Sequence, residues 1–183
     1  MNRANLAAGL LLLAGTVLSG CGAAKETGGR MDSGGGAVNV NLINAKGEPI
    51  GKALITEKTD GVHIVIEASK LSPGKHGFHI HQTGKCDPPD FKTAGEHLNP
   101  EGKQHGFKNP KGPHAGDMLN LEAGADGIAK GEFVDKHVTL AKGKPNSLLK
   151  DGGTSLVIHQ DPDDYKTDPA GNSGARIACG VIQ

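Results

Sequence analysis

The sequence predicts an all-β fold. The first observation is a set of short runs in which apolar and polar residues alternate, the pattern of strands that bury one face. The second is abundant turn chemistry, because 29 Gly and 10 Pro are spread over 183 residues. The third is the lack of any long, well-capped stretch with apolar residues at helical spacing. Many short strands separated by turns are typical of a sandwich or barrel.

Seven segments carry the strand pattern. In "AVNVNLI", for example, Val38, Val40 and Leu42 alternate with Asn39 and Asn41. The predicted strands cover residues 37–43, 50–56, 62–68, 75–82, 128–138, 155–160 and 176–182. Turn signals between them include Lys46-Gly47, Thr59-Asp60-Gly61, Pro73-Gly74 and Asp151-Gly152-Gly153.

The first 36 residues differ from the rest. Arg3 precedes an apolar run at 7–18 that is too short for a typical membrane-spanning helix and is typical of a signal peptide. The run ends in "LSGC", which resembles a bacterial lipoprotein signal, in which the chain is cut before the cysteine and that cysteine is lipidated. We therefore predict a signal peptide at 1–20, a lipidated Cys21 with a flexible Gly-rich tether at 21–36, and the folded domain at 37–183. The alternative is an ordinary secretory signal with an incidental cysteine.

Charge and cysteine content narrow the function classes. Twenty Lys and Arg balance 20 Asp and Glu, so no attraction to nucleic acid is predicted. Lipid on Cys21 would hold the exported domain at the extracytoplasmic side of a membrane. If Cys21 carries lipid, Cys86 and Cys179 remain as a pair, and an oxidising compartment permits a disulfide.

The histidines point to a metal site. Six of the nine, together with one aspartate, lie in or beside two irregular segments at 83–120 and 161–175: His79, His81, His97, His105, His114, His159 and Asp117. Long irregular segments in a compact domain are usually functional, and a bound metal would offset the entropy cost of ordering them. Imidazole suits zinc and copper, and carboxylate combined with imidazole fits zinc. The other three, His63, His76 and His137, show no grouping and are expected at exposed positions.

Two of the six histidines lie on one predicted strand. In "GFHIH", residues 77–81, Phe78 and Ile80 fall on one face of the strand and His79 and His81 on the other. The strand is expected to anchor its apolar face in the core and to hold the two imidazoles rigidly, as a fixed ligand set requires.

Five motifs carry a family resemblance. In chain order they are "GFHIHQTGKC", "AGEHLNPEGKQHG", "GPHAGDMLNL", "LVIHQDPDDY" and "GNSGARIACGVI". Over residues 37–183 the sequence resembles the copper/zinc superoxide dismutases. The resemblance implies an eight-stranded Greek-key barrel with two long functional loops. It also implies one copper and one zinc per chain, with superoxide as the substrate.

The resemblance also implies roles for particular residues. The copper ligands would be His79, His81, His97 and His159, and the zinc ligands His97, His105, His114 and Asp117. His97 would bridge the two metals and carry a proton, Asp163 would link His79 to His105, and Arg176 would attract the anionic substrate. Cys86 and Cys179 would form the disulfide.

The sequence departs from the family at two positions and leaves alternatives open. Leu98 stands where Phe is frequent, and Pro169 stands about where many animal enzymes carry a steering lysine, a role that Lys166 is not expected to fill. A non-catalytic copper carrier or structural module of the same fold is the main rival, and a homodimer is possible. A zinc hydrolase is disfavoured, because no His-Glu-x-x-His run occurs.

Overall fold

The computed structural model describes residues 36–183. Within them are nine strands and no α-helix: β1 (Val38–Asn44), β2 (Pro49–Lys58), β3 (Gly61–Ala68), β4 (Gly74–His76), β5 (Phe78–His81), β6 (Leu121–Ala123), β7 (Ala129–Asp135), β8 (Thr154–His159) and β9 (Arg176–Ile182). None of the described residues forms a helix long and apolar enough to cross a membrane. The predicted signal peptide, Cys21 and nearly all of the tether lie outside the described residues.

The nine strands form one antiparallel sheet in the order β4-β6-β7-β3-β2-β1-β9-β8-β5. Its two edge strands, β4 and β5, are separated along the chain by Gly77 alone, so the sheet is nearly closed into a barrel. After β3 the chain passes beyond β7 and β6 to reach β4, which is a Greek-key connection. The predicted all-β Greek-key barrel is confirmed. One of its eight predicted strands is present as two halves, β4 and β5.

Gly77 is the residue that divides this predicted strand. A Cβ on Gly77 would lie 2.7 Å from Ser173 Cβ, so no other residue fits without displacement. Its amide donates to the Asp161 carbonyl, and its own carbonyl accepts from the His159 amide, both at 2.8 Å. The chain can therefore leave β6 and join β8 here, because Gly77 bonds to the last residue of β8 and to the segment that follows it.

All seven predicted strands occur, and one further strand was missed. β6 has three residues and directly follows the long irregular segment, so its alternation is too short to recognise. The signal that marks β6 is the Asp126-Gly127 turn before β7. This turn makes β6 and β7 the two arms of a hairpin, in which Ala123 pairs with Ala129. The two predicted irregular segments are present as loop A, residues 82–120, and loop B, residues 160–175.

The alternating apolar residues meet inside the barrel. Phe78 and Ile80 are fully buried there, and the Phe78 ring lies 5.1 Å from that of Phe133. His79 and His81 on the opposite face are buried as well, because loop A covers them. Each large apolar side chain buried in this way contributes about 1.5–3 kcal/mol to the free energy of unfolding.

A disulfide joins loop A to the last strand. It links Cys86 to Cys179, with Cα atoms 5.6 Å apart and a sequence separation of 93 residues. A second small apolar cluster lies beside it, formed by Phe91, Ala94 and Val157 with Cys179. Loop A is thereby fixed to β8 and β9, the strands that carry His159 and Arg176.

Two of the three histidines expected at exposed positions are buried instead. His76 is 1% exposed, with Nδ1 2.7 Å from the His159 carbonyl and Nε2 2.8 Å from the Ser72 carbonyl. His63 is 9% exposed and pairs with Asp60 at 2.7 Å. The expectation was wrong for both. Barrel closure gives His76 a partner 83 residues away, and the turn between β2 and β3 gives His63 the nearby Asp60. His137 is exposed, as expected.

Candidate metal centre

The barrel and loop A bring two groups of possible metal ligands together. In each group the ligand atoms lie within 4.8 Å of one another and every residue is buried. The first group, called cluster 1, is His79, His81, His97 and His159. The second group is His79, His97, His105 and Asp117. His79 and His97 belong to both groups, so the two groups are contiguous.

Cluster 1 is built on adjacent strands. His79 and His81 pair with Val157 and Ser155 of β8, and His159 ends that strand. His81 Nδ1 lies 2.8 Å from the Gly95 carbonyl, and His159 Nδ1 lies 3.3 Å from the Gly174 carbonyl. These contacts turn the two Nε2 atoms toward each other, at 3.4 Å. The Nδ1 atoms of His81 and His159 are thus held by backbone carbonyls, while their Nε2 atoms face each other inside the cluster.

Three histidine rings surround the Asp117 carboxylate. Asp117 Oδ1 lies 2.9 Å from His97 Nδ1, 3.0 Å from His105 Nδ1 and 3.4 Å from His114 Nδ1. Its Oδ2 accepts hydrogen bonds from the amides of Gly106 and His114, at 2.8 and 2.9 Å. We call Asp117 and these three histidines cluster 2. Cluster 2 contains His114 rather than His79, because the His79 Nε2 is turned onto a different carboxylate.

That other carboxylate is Asp163, which joins the clusters from loop B. Asp163 Oδ2 lies 2.8 Å from His79 Nε2, and Oδ1 lies 3.0 Å from His105 Nε2. Gly171 packs against it with φ +65°, and a Cβ there would collide with the Asp163 carboxylate. One buried aspartate thus orients a ring of cluster 1 and a ring of cluster 2 at once.

Burial keeps the cluster 1 imidazoles neutral. It lowers the pKa of His97 to about 3 and that of His159 to about 2, and it holds the pKa of His81 well below its usual range. Protonating one ring would also repel protonation of the next, which lowers the pKa values of His97 and His159 further. Neutral imidazoles keep the lone pair that a metal ion needs.

Cluster 2 has the opposite electrostatic character. Burial opposes ionisation of Asp117 and Asp163, but hydrogen bonds from the surrounding histidines outweigh burial and hold both carboxyl pKa values well below their usual range. Burial likewise opposes the charged form of His105, but its bonds to these two carboxylates raise its pKa to about 9. An ionised Asp117 among buried imidazoles is suited to a divalent cation.

Two buried nitrogens test whether metals fit these clusters. His79 Nδ1 and His97 Nε2 are buried without any hydrogen-bond partner among the described residues. An unpartnered buried polar atom costs about 1–3 kcal/mol, and a bound metal ion would remove that cost. Both atoms face cluster 1, whose four imidazoles suit copper, whereas three imidazoles and a carboxylate suit zinc. The donor sets fit both metals.

Arg176 lies next to cluster 1. It pairs with His159 across β8 and β9, and its Nη1 donates to the Phe91 carbonyl at 2.9 Å. Partial burial lowers the pKa of this guanidinium, which nevertheless stays cationic. Its charge is among the causes that lower the pKa values of His81 and His159, so it is within electrostatic reach of the cluster.

The structure thus gathers every residue predicted for the site among the described residues. Three contributors were missed in the sequence: Asn120, Tyr165 and Gly171, all of which contact or enclose Asp163. A glycine with positive φ and an asparagine just before a short strand carry no metal-ligand signal of their own. The "DDY" in "QDPDDY" was the nearest clue, because an aromatic in a polar loop needs a packing partner.

The chain is similar to known proteins of one family. The family model for copper/zinc superoxide dismutase (SODC) matches residues 50–182. The Cu-Zn superoxide dismutase 1 of Aquifex aeolicus is 56% identical over 146 residues, 79% of this chain and 86% of the relative. The superoxide dismutase-like protein YojM of Bacillus subtilis is 46% identical over 79% of this chain and 74% of the relative.

Solved structures show the same likeness. A superoxide dismutase-like protein from Bacillus subtilis superimposes with a TM-score of 0.77 at 44% identity, covering 79% of this chain and 97% of that one. The Cu/Zn superoxide dismutase from Brucella abortus gives a TM-score of 0.66 at 33% identity, covering 81% of this chain and all of that one. From its sequence, its barrel and its two joined histidine clusters, this chain belongs to the copper/zinc superoxide dismutase family, oxidoreductases that use copper and zinc.

Proposed function

We propose that this chain converts superoxide to dioxygen and hydrogen peroxide with copper held by cluster 1 and zinc held by cluster 2. The observation that carries the proposal is His97. Its Nδ1 lies 2.9 Å from Asp117 Oδ1 in cluster 2, while its Nε2 is buried in cluster 1 without a protein partner. A ring that offers one nitrogen to each cluster is suited to bridge two metal ions.

Copper, when bound, supplies the redox chemistry, taking an electron from one superoxide and giving it to a second, which with two protons becomes hydrogen peroxide. The protein residues supply geometry and protons. His81 and His159 are held by backbone carbonyls, so their inner nitrogens stay fixed during turnover. We assign to His97 Nε2 the holding of a proton for the product, because this buried atom has no competing protein partner.

Arg176 is proposed to bind the substrate anion. One of its nitrogens is occupied by the Phe91 carbonyl, which fixes the guanidinium beside His159 and leaves its other N–H groups available. An always-charged, directional donor both attracts and orients a small anion. Focusing of the positive potential at a cleft raises association rates of anions by about 10–10³-fold, and superoxide dismutase is a known example of such steering.

We expect Arg176→Ala to lower kcat/KM for superoxide about tenfold at equal copper content, and Arg176→Glu to lower it further. Pulse radiolysis at low ionic strength measures the rates. Lys130→Glu is the matched charge control, because Lys130 lies on β7, far from β8 in the sheet, and should leave the rate unchanged. Raising the salt should slow wild type more than Arg176→Ala. Equal rates for wild type, Ala and Glu forms would remove Arg176 from the mechanism.

The rival function is copper carriage or a purely structural role. Zinc bound without any copper site, after loading with both metals, would favour that rival. The joined clusters and the cationic Arg176 support an enzyme instead, because a carrier needs neither a shared ring nor an anion-binding group.

An extracytoplasmic, lipid-anchored location belongs to the same proposal. The Cys86–Cys179 disulfide fits an oxidising compartment outside the cytoplasm. A homodimer is also proposed: Phe107, Leu119 and Val134 are exposed around one cavity of about 280 Å³. Lys136 and Glu132 line the same cavity, so a second copy could offer it opposite charges and matching apolar groups.

Intact mass of the mature protein should show cleavage before Cys21 and a diacyl or triacyl group on that residue. Cys86 and Cys179 should both be oxidised. Cys21→Ser is the control, since it should abolish acylation and release the domain from membranes without changing the disulfide. An unmodified Cys21 in wild type would remove the lipid anchor from the proposal and leave the enzymatic part standing.

A further inference from the structure

Tyr165 in loop B has an unusual position. It is the single tyrosine of the chain, and its backbone φ is +63°, a left-handed conformation rarely adopted by an aromatic residue. Such a conformation is strained and persists only where surrounding contacts fix it. Tyr165 stands two residues after Asp163, which links the two clusters.

Three hydrogen bonds connect the phenol of Tyr165 to the backbone of Asp163. The Tyr165 hydroxyl accepts a hydrogen bond from the backbone amide of Asn120 at 2.8 Å. The Asn120 side chain then holds the Asp163 backbone on both sides: its Oδ1 accepts from the Asp163 amide at 2.8 Å, and its Nδ2 donates to the Asp163 carbonyl at 3.0 Å. The phenol therefore fixes the residue that clamps Asp163.

The backbone of Tyr165 acts on the Asp163 carboxylate directly. The Tyr165 amide donates to Asp163 Oδ1 at 2.6 Å, the same oxygen that lies 3.0 Å from His105 Nε2. The left-handed turn at Tyr165 comes directly after this bond, and the contacts of the Tyr165 ring and carbonyl hold that turn in place.

The ring and carbonyl of Tyr165 are held by loop A. Lys108 donates its amide to the Tyr165 carbonyl at 2.8 Å and places its ammonium 5.3 Å from the ring centre. The Phe107 ring lies 6.1 Å away. Gly106 passes so close that a Cβ would collide with the Tyr165 carbonyl. Tyr165 is thus the point where loop B is locked onto the loop that carries His97, His105 and His114.

We propose that Tyr165 is a positioning residue for the zinc site: it fixes the Asp163 carboxylate in the orientation that holds His105, and so slows zinc loss. The assignment of zinc to cluster 2 is taken from the proposed function. Tyr165 itself touches neither metal nor substrate. Groups that orient a metal ligand from outside typically change metal affinity by about 10–100-fold.

The first test is Tyr165→Phe, which removes one oxygen atom. We expect zinc transfer to a chelator to accelerate about tenfold and the absorption bands of Co²⁺ in the zinc site to shift, because the His105 orientation relaxes. Thr167→Val is the matched control: it deletes a hydroxyl of the same loop that bonds to Asp164 and has no hydrogen bond to Asp163. Zinc loss and Co²⁺ spectrum equal to those of wild type in Tyr165→Phe would overturn the proposal.

A double-mutant cycle tests whether Tyr165 acts through Asp163. In an Asp163→Asn background, Tyr165→Phe should accelerate zinc loss less than twofold. An unchanged tenfold effect in that background would show that Tyr165 acts by another route and would overturn the proposal.

A measurement on wild type keeps the test independent of any variant's folding. Because the chain has one tyrosine and no tryptophan, its intrinsic emission reports on Tyr165 alone. If Tyr165 stabilises the zinc site, zinc must in turn order Tyr165, so emission should change until one zinc per chain is bound. Stoichiometric zinc binding with constant emission contradicts the role of Tyr165. Absence of zinc binding instead contradicts the metal assignment of the proposed function.

Discussion

His97→Ala should lower the affinity for both copper and zinc by more than about 100-fold, because one substitution removes a ligand from each cluster. His97 offers Nδ1 beside Asp117 and Nε2 inside cluster 1, and alanine supplies neither. Removing even an outer partner of a metal ligand costs about 10–100-fold, so loss of the ligand itself should cost more. Elemental analysis after dialysis against a weak chelator measures both metals in one sample.

Single-cluster variants provide the controls. Asp117→Ala should mainly cost zinc, since its carboxylate contacts only cluster 2 rings and loop A amides. His159→Ala should mainly cost copper, since its ring lies in cluster 1 alone. Full zinc retention by His97→Ala would contradict a shared ligand and leave two independent metal sites.

The second large effect concerns the disulfide. Replacing Cys86 and Cys179 by serine should lower the free energy of unfolding by about 4–5 kcal/mol, because the cross-link closes a loop of 93 residues in the unfolded chain. Urea denaturation of the metal-free protein measures the change without a contribution from metal binding. Chemically reduced wild type should unfold at the same urea concentration as the double serine variant.

The same substitution should also loosen the site. Cys179 lies three residues after Arg176, and Phe91, whose carbonyl holds the Arg176 guanidinium, packs in the small apolar cluster beside the disulfide. We therefore expect copper-loaded double serine protein to lose activity at lower temperature than wild type. An unfolding midpoint unchanged by reduction would contradict a stabilising role for the cross-link.

Much of the fold was predictable because its signals are local. Alternation in β1, β3 and β5 records which face of each strand meets the core, and that periodicity is fixed by strand geometry. β6 could not be predicted, because three residues cannot display a period; it exists through its pairing with β4 and β7. Gly77 likewise looks like one more strand residue until barrel closure requires the chain to change partners there.

The sequence by itself determined the fold class, the loops and the identities of the chemical groups, because hydrophobic periodicity, turn residues and ordered motifs are all local features of the sequence. Only the tertiary structure decided how these groups are joined. Asp163 reaches rings from two clusters, His76 bonds to the carbonyl of His159, and Tyr165 meets Asn120. The physical reason is that these partners lie 45 to 84 residues apart, and a single buried hydrogen bond leaves no periodic trace in either segment.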